Sequence, residues 1–229
     1  MSTVLVIDGS DVCRAPIVEF ALRKQFAGDG ALADTTVSSR GLDVNAGRPI
    51  CDLAAGRLGG SSRAAMFSDA HRSAQLRTED ADGADLILTA ERMHRSAVAR
   101  VAPMARARTF TLKEALVLVS VLTDEVHAGR HRRPGSLAEV VELLHDVRGS
   151  IPLIEPPMQT SVFHRDRALP AADPLALVDG HEDAALHRHA TDESYQVALT
   201  LGSRLVDLTE DRMARIDSSP RDWWLRQQA

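Results

Sequence analysis

The chain opens on a short unbroken apolar run, Val4-Leu5-Val6-Ile7, largely β-branched. Runs of this kind belong to strands covered on both faces, as in a parallel sheet. The run ends in Asp8-Gly9-Ser10-Asp11, which is loop chemistry. Pro16 then stands where a first helical turn tolerates proline. From Ile17 to Phe26 the apolar positions, among them Val18, Phe20, Ala21 and Leu22, recur at the spacing of a helix with one buried stripe. Residues 4–26 therefore read as strand, loop, helix.

The same pattern continues. It predicts strands at 35–39, 84–89 and 108–112, and a helix through Met93 and Val98 that stops before Pro103. Residues 113–127 are helical by composition. Ser136 is placed to cap a helix over 137–147, with Glu139 completing a capping box. The proline-rich stretch 149–175 has no long period and reads as a surface excursion. A last helix runs from about Asp192 to Leu208, with Tyr195, Ala198, Leu199, Gly202, Leu205 and Val206 on its apolar side. Strands alternating with helices imply a parallel sheet with helices on both faces. Ligands of such sheets sit at the carboxyl ends of the strands, which directs attention to the loop after the first strand.

At 229 residues and 44% hydrophobic composition, the chain can bury one sizeable core. The expected organisation is a single domain over 1–208, with its excursion at 113–169, and a C-terminal tail over 209–229. A net charge of -5 gives no electrostatic footprint for nucleic acid. No apolar run is long enough to span a bilayer. The start lacks the features of a signal peptide, and two cysteines, Cys13 and Cys51, make no disulfide framework. A cytoplasmic protein with reduced thiols is the expectation. Both cysteines read as small buried hydrophobes. His71 and His94 read as structural hydrogen-bonding groups, and His187-Arg188-His189 as a solvated loop.

The stretch from Val4 to Pro16 resembles the signature of the low-molecular-weight protein tyrosine phosphatases. In that family the loop reads Cys, five residues, Arg, Ser, Pro. Here Asp8 and Arg14 keep that spacing, and Cys13, Arg14 and Pro16 match. Ser39-Arg40-Gly41 with Gly47-Arg48-Pro49, His71 to Leu76, Ala84 to Leu88 with Glu91 to His94, and Asp173-Pro174 resemble later segments of the family in order. The resemblance implies a three-layer α/β/α fold around a four-stranded parallel sheet, of flavodoxin-like kind. It implies an anion-binding loop of Gly9, Ser10, Asp11, Val12, Cys13 and Arg14, with Asp173 in the place of the general acid.

The departures bear on chemistry. The family's attacking thiolate is replaced by Asp8. The hydroxyl that helps stabilise it is replaced by Ala15, and a loop-ordering Asn by Asp11. Leu175 follows Asp173-Pro174, where members acting on phosphotyrosine often carry a ring. Three readings stay open. Asp8 fills the anion nest itself and pairs with Arg14, leaving a pseudo-phosphatase that acts by binding. Asp8 serves as a nucleophile, with Arg14 holding an anionic group. Asp8, Asp11 and Asp173 hold Mg²⁺; outside these Asp8-based alternatives no cofactor or metal is expected. Under the first reading, 113–169 and the tail with Trp223-Trp224 are the surfaces for a protein partner or a second copy.

Overall fold

The computed structural model describes residues 1–28, 30–150, 173–181 and 183–210. Trp223, Trp224 and most of the proline-rich stretch lie outside the described residues.

Four strands form one sheet in the order β2-β1-β3-β4, every pairing parallel. They are β1 (Thr3–Asp8), β2 (Thr36–Gly41), β3 (Leu86–Thr89) and β4 (Thr109–Thr111). β1 is central because its apolar run is covered on both faces. Val4 and Val6 enter the larger core, while Leu5 and Ile7 enter a smaller one with Leu76, Ala81, Ile87 and Val98. The larger core lies under α1 (Arg14–Phe26), α2 (Asp52–Leu58), α6 (Leu112–His127), α7 (Leu137–Val147) and α8 (Ala184–Glu210). The smaller lies under α4 (Thr78–Asp82) and α5 (Arg92–Val101), and α3 (Ser62–Ala70) adds Ala64 to the larger. This is the three-layer α/β/α arrangement, with the element pattern of a doubly wound sheet.

The elements differ from the expected ones at their ends. β2 runs on to Gly41, β4 stops at Thr111, and Leu112 already begins α6. The cause at β4 is a capping box. Thr111 Oγ1 accepts from the Glu114 N–H, and Glu114 Oε2 accepts from the Thr111 N–H. Ser136 caps α7 as expected, its hydroxyl accepting from the Glu139 N–H. Its reciprocal half differs, because Glu139 Oε2 accepts from the Gly135 N–H instead. α6 and α7, within 113–169, bury Leu118, Val119, Leu122, Val140 and Leu144 in the core.

The last helix begins at Ala184, a full two turns before Asp192, so His187 and His189 are helical and not in a loop. Asp183 explains the early start, since its Oδ1 accepts from the N–H groups of Ala185 and Leu186. Among the described residues, no helix is long and apolar enough to cross a membrane.

Candidate functional site

The chemistry-bearing residues gather at the carboxyl end of β1. Gly41, the partner of Asp8 in the β1–β2 register, passes directly under the following loop. A Cβ on Gly41 would lie 2.9 Å from the Ser10 carbonyl carbon and 3.0 Å from the Asp11 nitrogen, so only glycine fits. The loop itself turns through Asp11, whose φ of 55° is left-handed, a region that Asp tolerates better than most residues.

Asp8 is buried, and its carboxylate fills the concave side of this loop. Oδ1 accepts from the N–H groups of Ser10 at 3.0 Å and Asp11 at 2.6 Å, and Oδ2 accepts from Ala15 at 2.9 Å. These are charge-assisted bonds from backbone groups of the kind that cradle anions in nests and at helix starts.

Arg14 is placed by the first turn of α1 but does not hydrogen-bond Asp8, contrary to the pairing expected from sequence. Its Nη1 donates to Glu91 Oε1 at 2.7 Å and to the Leu177 carbonyl at 3.1 Å, and its Nη2 donates to Asp179 Oδ2 at 3.1 Å. The physical reason is saturation. Asp8 already has both oxygens on backbone donors, and two other carboxylates lie within reach of the guanidinium. Burial works against the charge of Arg14, but Asp8, Asp179 and Glu91 together outweigh it and raise its pKa.

Asp11 is fully buried. Its Oδ2 accepts from the Ala74 N–H at 2.9 Å, while its Oδ1 has no hydrogen-bond partner. Burial pushes its carboxyl up to about 6, against the lowering influence of the Ser39 hydroxyl, the Ala74 N–H and nearby His71. His71 Nε2 meets the Asp11 carbonyl at 2.8 Å, the structural role expected of it. His94 departs from that expectation. Its Nδ1 is buried without a partner, and burial holds its pKa below the ordinary value.

Asp173 sits on the rim. Its Oδ1 accepts from the Leu175 N–H at 3.0 Å, and its Oδ2 pairs with Arg92 Nε at 3.0 Å. The segment beyond it folds over the loop, held by the Leu177 N–H donating to the Ala90 carbonyl at 2.8 Å. Asp8, Asp11 and Asp173 do not group their oxygens into a cation site.

The grouping that does form was not legible as such. Cys13 is the N-cap residue of α1 and faces away from the nest, towards His187: Sγ and Nε2 are 3.0 Å apart. Cys51, at the start of α2, has its Sγ 3.6 Å from the same nitrogen. It is brought there by a backbone bond, since its N–H donates to the Val12 carbonyl at 2.8 Å. The His181 and His187 rings lie 4.4 Å apart between centroids. Gly180 permits this approach, because a Cβ there would collide with the backbone of Leu186 at 2.3 Å. The Cys13 thiol beside it, and His187, draw the Cys51 thiol down to about 6, and the same pairing with Cys51 pushes Cys13 up. Cys13 is buried in the larger core and Cys51 packs against it, as expected, and both thiols also meet His187. The tract His187-Arg188-His189, read from sequence as a solvated loop, supplies one member of the group, His187. Residues two apart on a helix do not share a face, and exposed His189 is not in the group.

Comparison with known proteins agrees with the fold. Among solved structures, the tyrosine phosphatase amsI of Erwinia amylovora is 18% identical, with a TM-score of 0.51, covering 90% of this chain and 91% of its own. The YwlE arginine phosphatase of Geobacillus stearothermophilus is 19% identical at a TM-score of 0.52, covering 94% and 99%. A YwlE mutant from Bacillus subtilis is 15% identical at 0.53, covering 90% and 99%. At these identities the likeness is one of fold. No curated protein matches the chain. The sequence model described as low molecular weight phosphotyrosine protein phosphatase matches residues 3–121, just over half of the 229. With its parallel sheet, its loop and its helix start in the order that family uses, the chain belongs to the low molecular weight phosphotyrosine protein phosphatase family.

Proposed function

We propose that this chain is a catalytically inactive member of its family, a pseudo-phosphatase that acts through binding. The observation that carries the reading is the carboxylate of Asp8, which accepts from the N–H groups of Ser10, Asp11 and Ala15. A phosphate would have to compete for those donors with an anion fixed in the same chain at very high effective concentration. It would also meet the Asp8 charge, at a cost of about 4 kcal/mol for unit charges ~4 Å apart at an effective dielectric of 20. Arg14, the side chain that would fork onto phosphate oxygens, is engaged by Glu91 and Asp179. Asp173, in the place of a leaving-group acid, is paired with Arg92.

Use of Asp8 as a nucleophile is disfavoured by the same bonds, since both of its oxygens are hydrogen-bonded. On this reading the segments proposed to meet a protein partner are 113–169 and the tail that bears Trp223 and Trp224.

The test is hydrolysis of a small aryl phosphate by the native chain, with and without Mg²⁺, beside Asp8→Asn. The expected outcome is no turnover above the uncatalysed rate in either. Turnover by the native chain that disappears in the variant would make Asp8 catalytic and overturn the reading.

A further inference from the structure

We propose that Cys13, Cys51, His181 and His187 bind a single zinc ion, which staples the segment after Asp173 onto the outer side of the anion loop. This stands apart from the question of turnover, because Asp8 is bonded to the N–H groups of Ser10, Asp11 and Ala15 and is not among the four residues.

The geometry is that of a ligand set. One donor atom from each of the four residues lies within 4.8 Å of every other, and no other group of three or more such side chains forms among the described residues. Two thiols and two imidazoles make an S₂N₂ set, which suits zinc in a closed tetrahedral site. Zinc–sulfur and zinc–nitrogen bonds of about 2.3 and 2.0 Å put neighbouring S and N ligands roughly 3.6 Å apart in a tetrahedron. The two Sγ to Nε2 separations of His187, 3.0 and 3.6 Å, already approach that spacing.

Each ligand is fixed by something unrelated to its neighbours. Cys13 is held at the start of α1, Cys51 by its bond to Val12, and His187 by the Asp183 cap of α8. His181 has an outer partner of the sort metal-binding histidines carry. Its Nδ1 is 3.3 Å from Asp179 Oδ1, which leaves Nε2 for the ion. Asp179 also accepts from Arg14, so one carboxylate joins the proposed ligand to the arginine of the loop. The cluster is graded from inside to outside: Cys13 is buried, Cys51 and His187 are half-buried and His181 is exposed, which gives the ion a path in.

The full chain, purified without chelators from cells given zinc, is expected to carry the metal in a one-to-one ratio by elemental analysis. After chelation, titration with Co²⁺ is expected to give the visible bands of a tetrahedral site and thiolate-to-metal charge-transfer absorption. Cys51→Ser and His187→Ala should lose both, whereas His189→Ala, exposed on the same helix, should keep them. Asp179→Asn should weaken Zn²⁺ binding on the order of 10–100-fold, as loss of such an outer partner does elsewhere. Circular dichroism checks that each variant folds, and exposed His181→Ala replaces any that does not. The proposal is overturned if the native chain holds no zinc and gives no charge-transfer band, or if Cys51→Ser binds as tightly as the native chain. It is equally overturned if Cys13 and Cys51 form a disulfide in protein prepared under reducing conditions.

Discussion

Two sites share the loop between β1 and α1, and they stand in opposite conditions. On the Asp8 side, N–H donors that could hold an anion already hold one. On the Cys13 side, sulfur and nitrogen lone pairs face one another across 4.8 Å or less. Cys13 and Arg14 are neighbours in sequence, yet one looks out to His187 and the other in to Glu91. The first side is satisfied within the chain, while the second has the composition of a site that gains by taking a cation. One short loop can therefore hold an internal anion on one side while its other side offers different chemistry.

The sharpest way to break this contrast is to remove the internal anion. Asp8→Ala would leave the buried N–H groups of Asp11 and Ala15, and the half-buried one of Ser10, without acceptors and should cost about 2–5 kcal/mol, read by urea unfolding. A loss below ~1 kcal/mol would mean that water or another anion serves the nest as well as Asp8 does.

A smaller effect of opposite sign is expected next door. Asp11→Asn keeps an oxygen for the Ala74 N–H, suits the left-handed backbone, and removes a buried charge whose second oxygen accepts no hydrogen bond and has only the His71 ring, 3.9 Å away. It should stabilise the chain by about 1–2 kcal/mol at pH 7 in the same unfolding experiment. Destabilisation there would show that the carboxylate, and not merely its shape, holds the loop.

The smallest effect concerns pH. Burial keeps His94 neutral in the fold, whereas the unfolded chain takes up a proton near pH ~6.5. Below that pH the unfolded state binds more protons, so stability is full above it and falls as the solution is acidified. The fall between pH 7.5 and 5.5 should be shallower in His94→Leu. Equal slopes in the two proteins would show that the imidazole accepts its proton inside the fold.

Much of the frame was legible in the sequence for plain reasons. An unbroken run such as Val4 to Ile7 can only be covered on both faces, and the turn chemistry after it fixes where the strand ends. Asp8 in the place of a thiolate was legible through the resemblance of residues 4–16 to the family's signature, and the idea that it fills the nest followed from that. The partner of Arg14 was not, because saturation of Asp8 by three N–H groups is a property of the folded loop. The Cys/His group was hidden for a similar reason. Residues 13, 51, 181 and 187 have no motif spacing, and they meet only because of the Cys51 to Val12 bond and the close pass at Gly180. The start of α8 was misread where Asp183 decides it and that of α6 by one residue where Thr111 does, whereas the Ser136 cap of α7 was legible.

Arg14 ties together parts of the chain that are remote in sequence. Its three acceptors come from two segments, around Glu91 and around 177–179. A cysteine placed at position 8 would thus meet an arginine whose hydrogen bonds are already engaged. Freeing that arginine for an anion takes change at Glu91 and Asp179 as well as at Asp8, so substitutions at these three positions are expected to be non-additive.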